Sequence, residues 1–137
     1  MKALIDKRVH EYYWQDDFNC AVTMLKILAE LEDTELHFQV IDAANGLSAG
    51  RCGSQCGLVE GALMFLGVLG CKKGYGKEAI DDWCHQFTDD FHQRFGSLLC
   101  RELRPQGFGP DNPPHLCEEL TQRAASFAAE FVESVKL

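Results

Sequence analysis

Gln55-Cys56-Gly57-Leu58-Val59-Glu60-Gly61-Ala62-Leu63-Met64-Phe65-Leu66-Gly67-Val68-Leu69-Gly70-Cys71-Lys72 is the stretch on which the reading of this chain turns. It is almost continuously apolar, too long for a buried strand, and it reads as a central helix buried over most of its circumference. Four glycines interrupt it, and each costs roughly 1 kcal/mol relative to alanine inside a helix. Gly57 and Gly61 stand one turn apart on one face. They predict the close approach of a neighbouring helix, or of the same helix in a second subunit. Lys72-Lys73-Gly74 closes the segment with cations at the negative end of the helix dipole and a glycine just beyond.

Outward from this helix the pattern stays helical. Leu4, Ile5, Val9, Tyr12 and Tyr13 predict a first helix ending near Trp14. The capping pair Asp16-Asp17 then opens an amphipathic helix to about Glu32. A shorter helix is expected from about Thr34 to Ala44, closed by a left-handed residue at Asn45-Gly46. Ile80, Trp83, Phe87, Phe91 and Phe95 form an aromatic core stripe on a helix from Lys77 to Phe95, with a short helix at Ser97 to Leu103. Arg104 to Pro114, with four prolines and two glycines, reads as a loop. Asn112-Pro113 then starts a last helix carrying Leu116, Leu120, Ala124, Phe127, Ala128 and Phe131. No strand or repeat is evident. The expectation is an all-α, single-domain bundle of five to six helices, and 137 residues suffice for one core.

Charge narrows the partners. The 21 acidic and 13 basic residues leave a net charge of −8, with no basic cluster to neutralise phosphates, which argues against nucleic acid and anionic membrane surfaces. The longest apolar run, Ala62 to Cys71, is 10 residues, against the roughly 20 that a bilayer span needs. The charged N-terminal stretch lacks a secretory apolar run, so a soluble cytoplasmic protein without membrane insertion is expected.

Seven cysteines in such a chain cannot all pair. In a reducing compartment they mean metal binding, redox chemistry or plain burial. Cys20, Cys56 and Cys117 each fall near the start of a predicted helix, where free amides and the helix dipole stabilise a thiolate. Cys52 and Cys56, four apart, are a further candidate pair, and Cys71 and Cys84 are expected to be buried. Among the histidines, His85 and His92 share a helix face and His115 lies near Cys117; surface or core roles suit them best. The chain has no phosphate-binding glycine loop, HExxH motif or nucleophile elbow.

Asn19-Cys20-Ala21-Val22, Cys56-Gly57-Leu58-Val59-Glu60-Gly61, Cys100-Arg101-Glu102-Leu103 and Cys117-Glu118-Glu119-Leu120 together resemble the C_GCAxxG_C_C family. These are bacterial proteins named for four cysteines, one of them in a Cys-Gly-Ala-x-x-Gly (CGAxxG) element. The resemblance covers about Phe18 to Phe131. Leu58 departs from it, standing where the motif has alanine, which suggests a looser helix approach there. The resemblance implies a helical fold and redox or cofactor chemistry at Cys20, Cys56, Cys100 and Cys117, with Gly57 and Gly61 packing around them. It also implies an unidentified redox partner and a functional link to a transporter. Three readings stay open: thiol–disulfide chemistry as the leading one, a non-catalytic zinc or iron–sulfur site with these four cysteines as ligands, and a helical interaction module whose cysteines are merely buried. A homodimer through the glycine-faced or apolar surface is compatible with all three.

Overall fold

The computed structural model describes residues 1–47, 55–104 and 117–136. Seven helices appear among them: α1 Lys2–Trp14, α2 Cys20–Leu31, α3 Phe38–Ala44, α4 Gly57–Lys72, α5 Lys77–Phe95, α6 Cys100–Leu103 and α7 Glu118–Val135. The expected all-α class is observed, with seven helices against the five to six expected; the short helix expected over Ser97 to Leu103 is among them, as Cys100–Leu103. No strand occurs among the described residues; an isolated antiparallel bridge joins Gln55 to Leu99.

The centre is shared by α2 and α4, which pack more extensively on each other than any other pair. α4 buries Leu58, Val59, Ala62, Phe65, Leu66 and Leu69, as its composition dictates. α2 has more than the single apolar face expected of it, since everything from Ala21 to Leu25 and from Ile27 to Ala29 is buried. The reason is geometric: α1, α3, α4 and α7 surround it. α1 contributes Ile5, Val9 and Tyr13, spaced four apart on one face. Phe87 and Phe91 of α5 pack on Phe127 and Phe131 of α7, with ring centroids 5.3–6.1 Å apart.

Local chemistry sets the helix ends, not always where the pattern placed them. α2 starts at Cys20 instead of Asp17, because Asn19 is the cap: its Oδ1 accepts from the Val22 amide at 2.8 Å. Asp17 instead takes a left-handed conformation, φ 53°, that turns the chain out of α1. α3 starts at Phe38, not Thr34. Asp33 reverses the chain at φ 48°, and the His37 ring caps the Gln39 amide at 3.2 Å. Asn45 remains right-handed, so the expected left-handed closure at Asn45-Gly46 is absent. Gly74 and Gly96, at φ 82° and 89°, do close α4 and α5 in the left-handed region. The predicted loop from Arg104 and the Asn112-Pro113 cap lie, apart from Arg104 itself, outside the described residues.

Candidate functional site

All four cysteines of the motif stand at helix starts. Cys20 and Cys100 are the first residues of α2 and α6, and Cys56 and Cys117 precede α4 and α7 as caps. The fold brings these starts together by three devices. Asn19 caps α2 while its Nδ2 donates to the Ala44 and Asn45 carbonyls, at 3.1 and 3.3 Å, fixing the turn that carries Cys20. The Cys56 amide donates to the Leu98 carbonyl at 2.8 Å beside the Gln55–Leu99 bridge, which returns the α4–α5 hairpin so that Cys100 faces Cys56. Gly57 and Gly61 let α4 lie against the first turn of α2. A Cβ on Gly57 would sit 3.1 Å from the Cys20 Cβ, and one on Gly61 would collide with the Ala21 carbonyl oxygen.

The close approach expected of Gly57 and Gly61 is therefore made to α2 of the same chain, and that face is not free for a second subunit. Leu58 points into the core, fully buried. Its size does not loosen the approach, which runs along the glycine face.

The thiols interact as two pairs, Cys20 with Cys117 and Cys56 with Cys100. In each, the interaction pushes one thiol up and pulls the other down. Hydrogen bonding to Cys117, then burial, pushes the Cys20 thiol well up; the same interaction with Cys20, aided by Arg104, pulls Cys117 down to about 7. Cys100 raises Cys56, as does burial, against the opposing pull of the Leu58 and Val59 amides; Cys56 in turn lowers Cys100. Lowered values at Cys20 and Cys56, expected from their helix starts, are thus reversed, because a neighbouring sulfur and desolvation outweigh the backbone amides. Charge interactions also link Cys20 to Cys56 and Cys100 to Cys117, so the pairs adjoin.

Two residues that the sequence did not single out hold the first pair. Arg104, 2% exposed, donates from Nη1 to Cys117 Sγ at 3.3 Å. The Tyr13 hydroxyl donates to Cys20 Sγ at 3.1 Å and lies 2.7 Å from Thr121 Oγ1, itself fully buried. With the tyrosine proton directed at sulfur, Thr121 is the donor in that second bond. Arg104 had a signal, standing four residues after Cys100, one turn on. Tyr13 looked like any apolar-stripe residue, and only the tertiary fold shows its hydroxyl to be used.

The remaining candidates lie elsewhere. Cys71 is exposed and Cys84 half-buried, against the burial expected of both. Cys71 occupies the last turn of α4, next to the exposed Lys72 and Lys73. Cys52 and His115 are outside the described residues, so the Cys52–Cys56 pair is too. His85 is paired with Asp89 on the surface of α5. Among the described residues no group of three or more His, Cys, Asp or Glu side chains is arranged to hold a metal ion. No helix of the described residues is long and apolar enough to cross a membrane.

No curated protein and no solved structure matches the chain. One protein family does: its sequence model, described as "Putative redox-active protein (C_GCAxxG_C_C)", matches residues 18–131, which include all four helix-start cysteines and the glycine pair. The chain belongs to the C_GCAxxG_C_C family.

Proposed function

We propose that the protein performs thiol–disulfide exchange through two dithiol couples, Cys20–Cys117 and Cys56–Cys100. The observation that carries this reading is the convergence of four sulfurs from four helix starts into two interacting pairs. A thiolate beside a protonated thiol is what exchange requires: one sulfur attacks, the other resolves the mixed disulfide. Each couple, a thiol beside a thiolate, closes to a disulfide with loss of two electrons and one proton, which pass to a disulfide substrate that leaves as two thiols after taking a second proton from solvent. Such couples work in a reducing compartment, and the cytoplasm, where dithiols are regenerated, suits them.

The test is a thiol titration of anaerobically purified protein, before and after exposure to oxidised glutathione, with disulfides mapped by mass spectrometry and metal measured on the same sample. Reversible loss of thiols in pairs, located at these four cysteines and altered by Cys56→Ala, is expected. Unchanged thiol counts, or stoichiometric metal on the cysteines, would overturn the reading.

A further inference from the structure

The two pairs are not equivalent. Around Cys20–Cys117 the fold has assembled dedicated donors: the buried Arg104 guanidinium on Cys117 Sγ at 3.3 Å, and the Tyr13 hydroxyl on Cys20 Sγ at 3.1 Å, backed by Thr121. Cys56 and Cys100 are held differently. The Leu58 and Val59 amides support Cys56, and Arg104 acts on Cys100 through its charge, while among the described residues neither sulfur has a side-chain donor such as Tyr13. Cys20 also differs in access. Although closely surrounded, it is partly exposed, whereas Cys56, Cys100 and Cys117 are buried.

Donors that hold a reduced sulfur pair favour its reduced state, because a disulfide carries no charge and accepts hydrogen bonds poorly. Closing Cys20–Cys117 would withdraw the thiolate that the buried guanidinium hydrogen-bonds; closing Cys56–Cys100 would withdraw one that it reaches through charge. We infer that the two couples form a directional relay, in which Cys20–Cys117 exchanges with an external disulfide and is then re-reduced by Cys56–Cys100, where the disulfide comes to rest. The inference rests on the thiol–disulfide reading above.

The steps balance. Cys20 attacks a disulfide RSSR as its proton passes to Cys117, releasing RS⁻, which leaves as RSH after taking up a proton. Cys117, giving its proton to the second departing RS⁻, then attacks the Cys20 sulfur, and the outer disulfide forms. Cys100 thiolate, adjoining Cys117, attacks that sulfur and releases Cys20. Finally Cys56 attacks the Cys100 sulfur, its proton going to Cys20, and Cys117 departs as the thiolate facing Arg104. Two electrons have passed from the inner dithiol to the external disulfide, with the outer couple restored.

The test oxidises the reduced full chain anaerobically with one equivalent of oxidised glutathione, followed by acid quench, alkylation and peptide mapping. The Cys56–Cys100 disulfide should exceed Cys20–Cys117 by on the order of tenfold, since a single unit of differential thiolate stabilisation is worth that factor. Arg104→Met should bring the two toward parity, and Tyr13→Phe, a milder change that keeps the ring in the core, should move the ratio in the same direction. Predominance of Cys20–Cys117, a dominant cross-pair disulfide, or a ratio that neither variant moves would overturn the relay while leaving thiol–disulfide chemistry standing. Absence of any disulfide would instead sink the underlying reading.

Discussion

The carbonyl of Ala21 occupies the space that a Cβ on Gly61 would need. The obstacle is backbone at the first turn of α2, one residue from Cys20, so neither side can yield by a rotamer change. Gly61→Ala should cost about 1–3 kcal/mol and loosen the seat of Cys20. Gly67 is the internal control: nothing lies within 4 Å of where its Cβ would be. There alanine should stabilise by roughly 0.5–1 kcal/mol through helix propensity alone. Urea midpoints of the two variants should move in opposite directions, and equal effects would contradict the packing described.

Asn19 serves two elements, and its two functions are separable. Asn19→Ala removes the cap on Val22 and the donor to Ala44 and Asn45, for an expected loss of about 1–2 kcal/mol. Asn19→Asp keeps the cap acceptor and loses the donor. Its loss should be smaller, with faster amide exchange around α3 and little change at the start of α2.

Tyr13 and Thr121 should behave as a unit. Tyr13→Phe leaves a fully buried threonine hydroxyl without its tyrosine partner and should cost about 1–3 kcal/mol. Removing both hydroxyls, in Tyr13→Phe with Thr121→Val, should cost less than the sum of the single changes. A coupling of at least about 0.5 kcal/mol in denaturant melts is expected; strict additivity would mean that the bond contributes nothing.

Reduced protein should show a thiolate step near neutrality that belongs to Cys117 in an ultraviolet absorbance titration. Cys117 is held down to about 7, by Cys20 first and Arg104 second. The thiolate is therefore present above that pH and lost as pH falls through it. Cys117→Ser should abolish the step. Arg104→Met should shift it upward, because removing a cation disfavours the charged form; a downward shift or none would refute the role given to Arg104.

Much of this was legible in the residues. The helical class, the central Gln55–Lys72 element and the glycine face follow from hydrophobic period and the cost of helical glycine, which short-range rules capture. Cys20, Cys56 and Cys117 could be placed at helix starts for the same reason, whereas Cys100 entered through family resemblance. What escaped was tertiary. The full burial of α2 depends on how many neighbours surround it. The direction of the thiol shifts depends on which sulfur faces which, and periodicity says nothing of a tyrosine hydroxyl in an apolar stripe. The start of α2 was misplaced because Asp16 and Asp17 are as good caps by composition as Asn19, and only Asn19 has carbonyls of α3 within reach.

The four sulfurs arrive from starts of helices far apart in the chain, and this bears on mechanics as well as chemistry. A bond from Cys20 to Cys117 would span 97 residues of sequence, and one from Cys56 to Cys100 would span 44. Loops of those sizes restrict an unfolded chain by about 4–5 kcal/mol each in the chain-entropy account. Every exchange event would therefore also tie or untie the ends of the bundle, and the temperature at which the protein melts would serve as a gauge of how many electrons it holds.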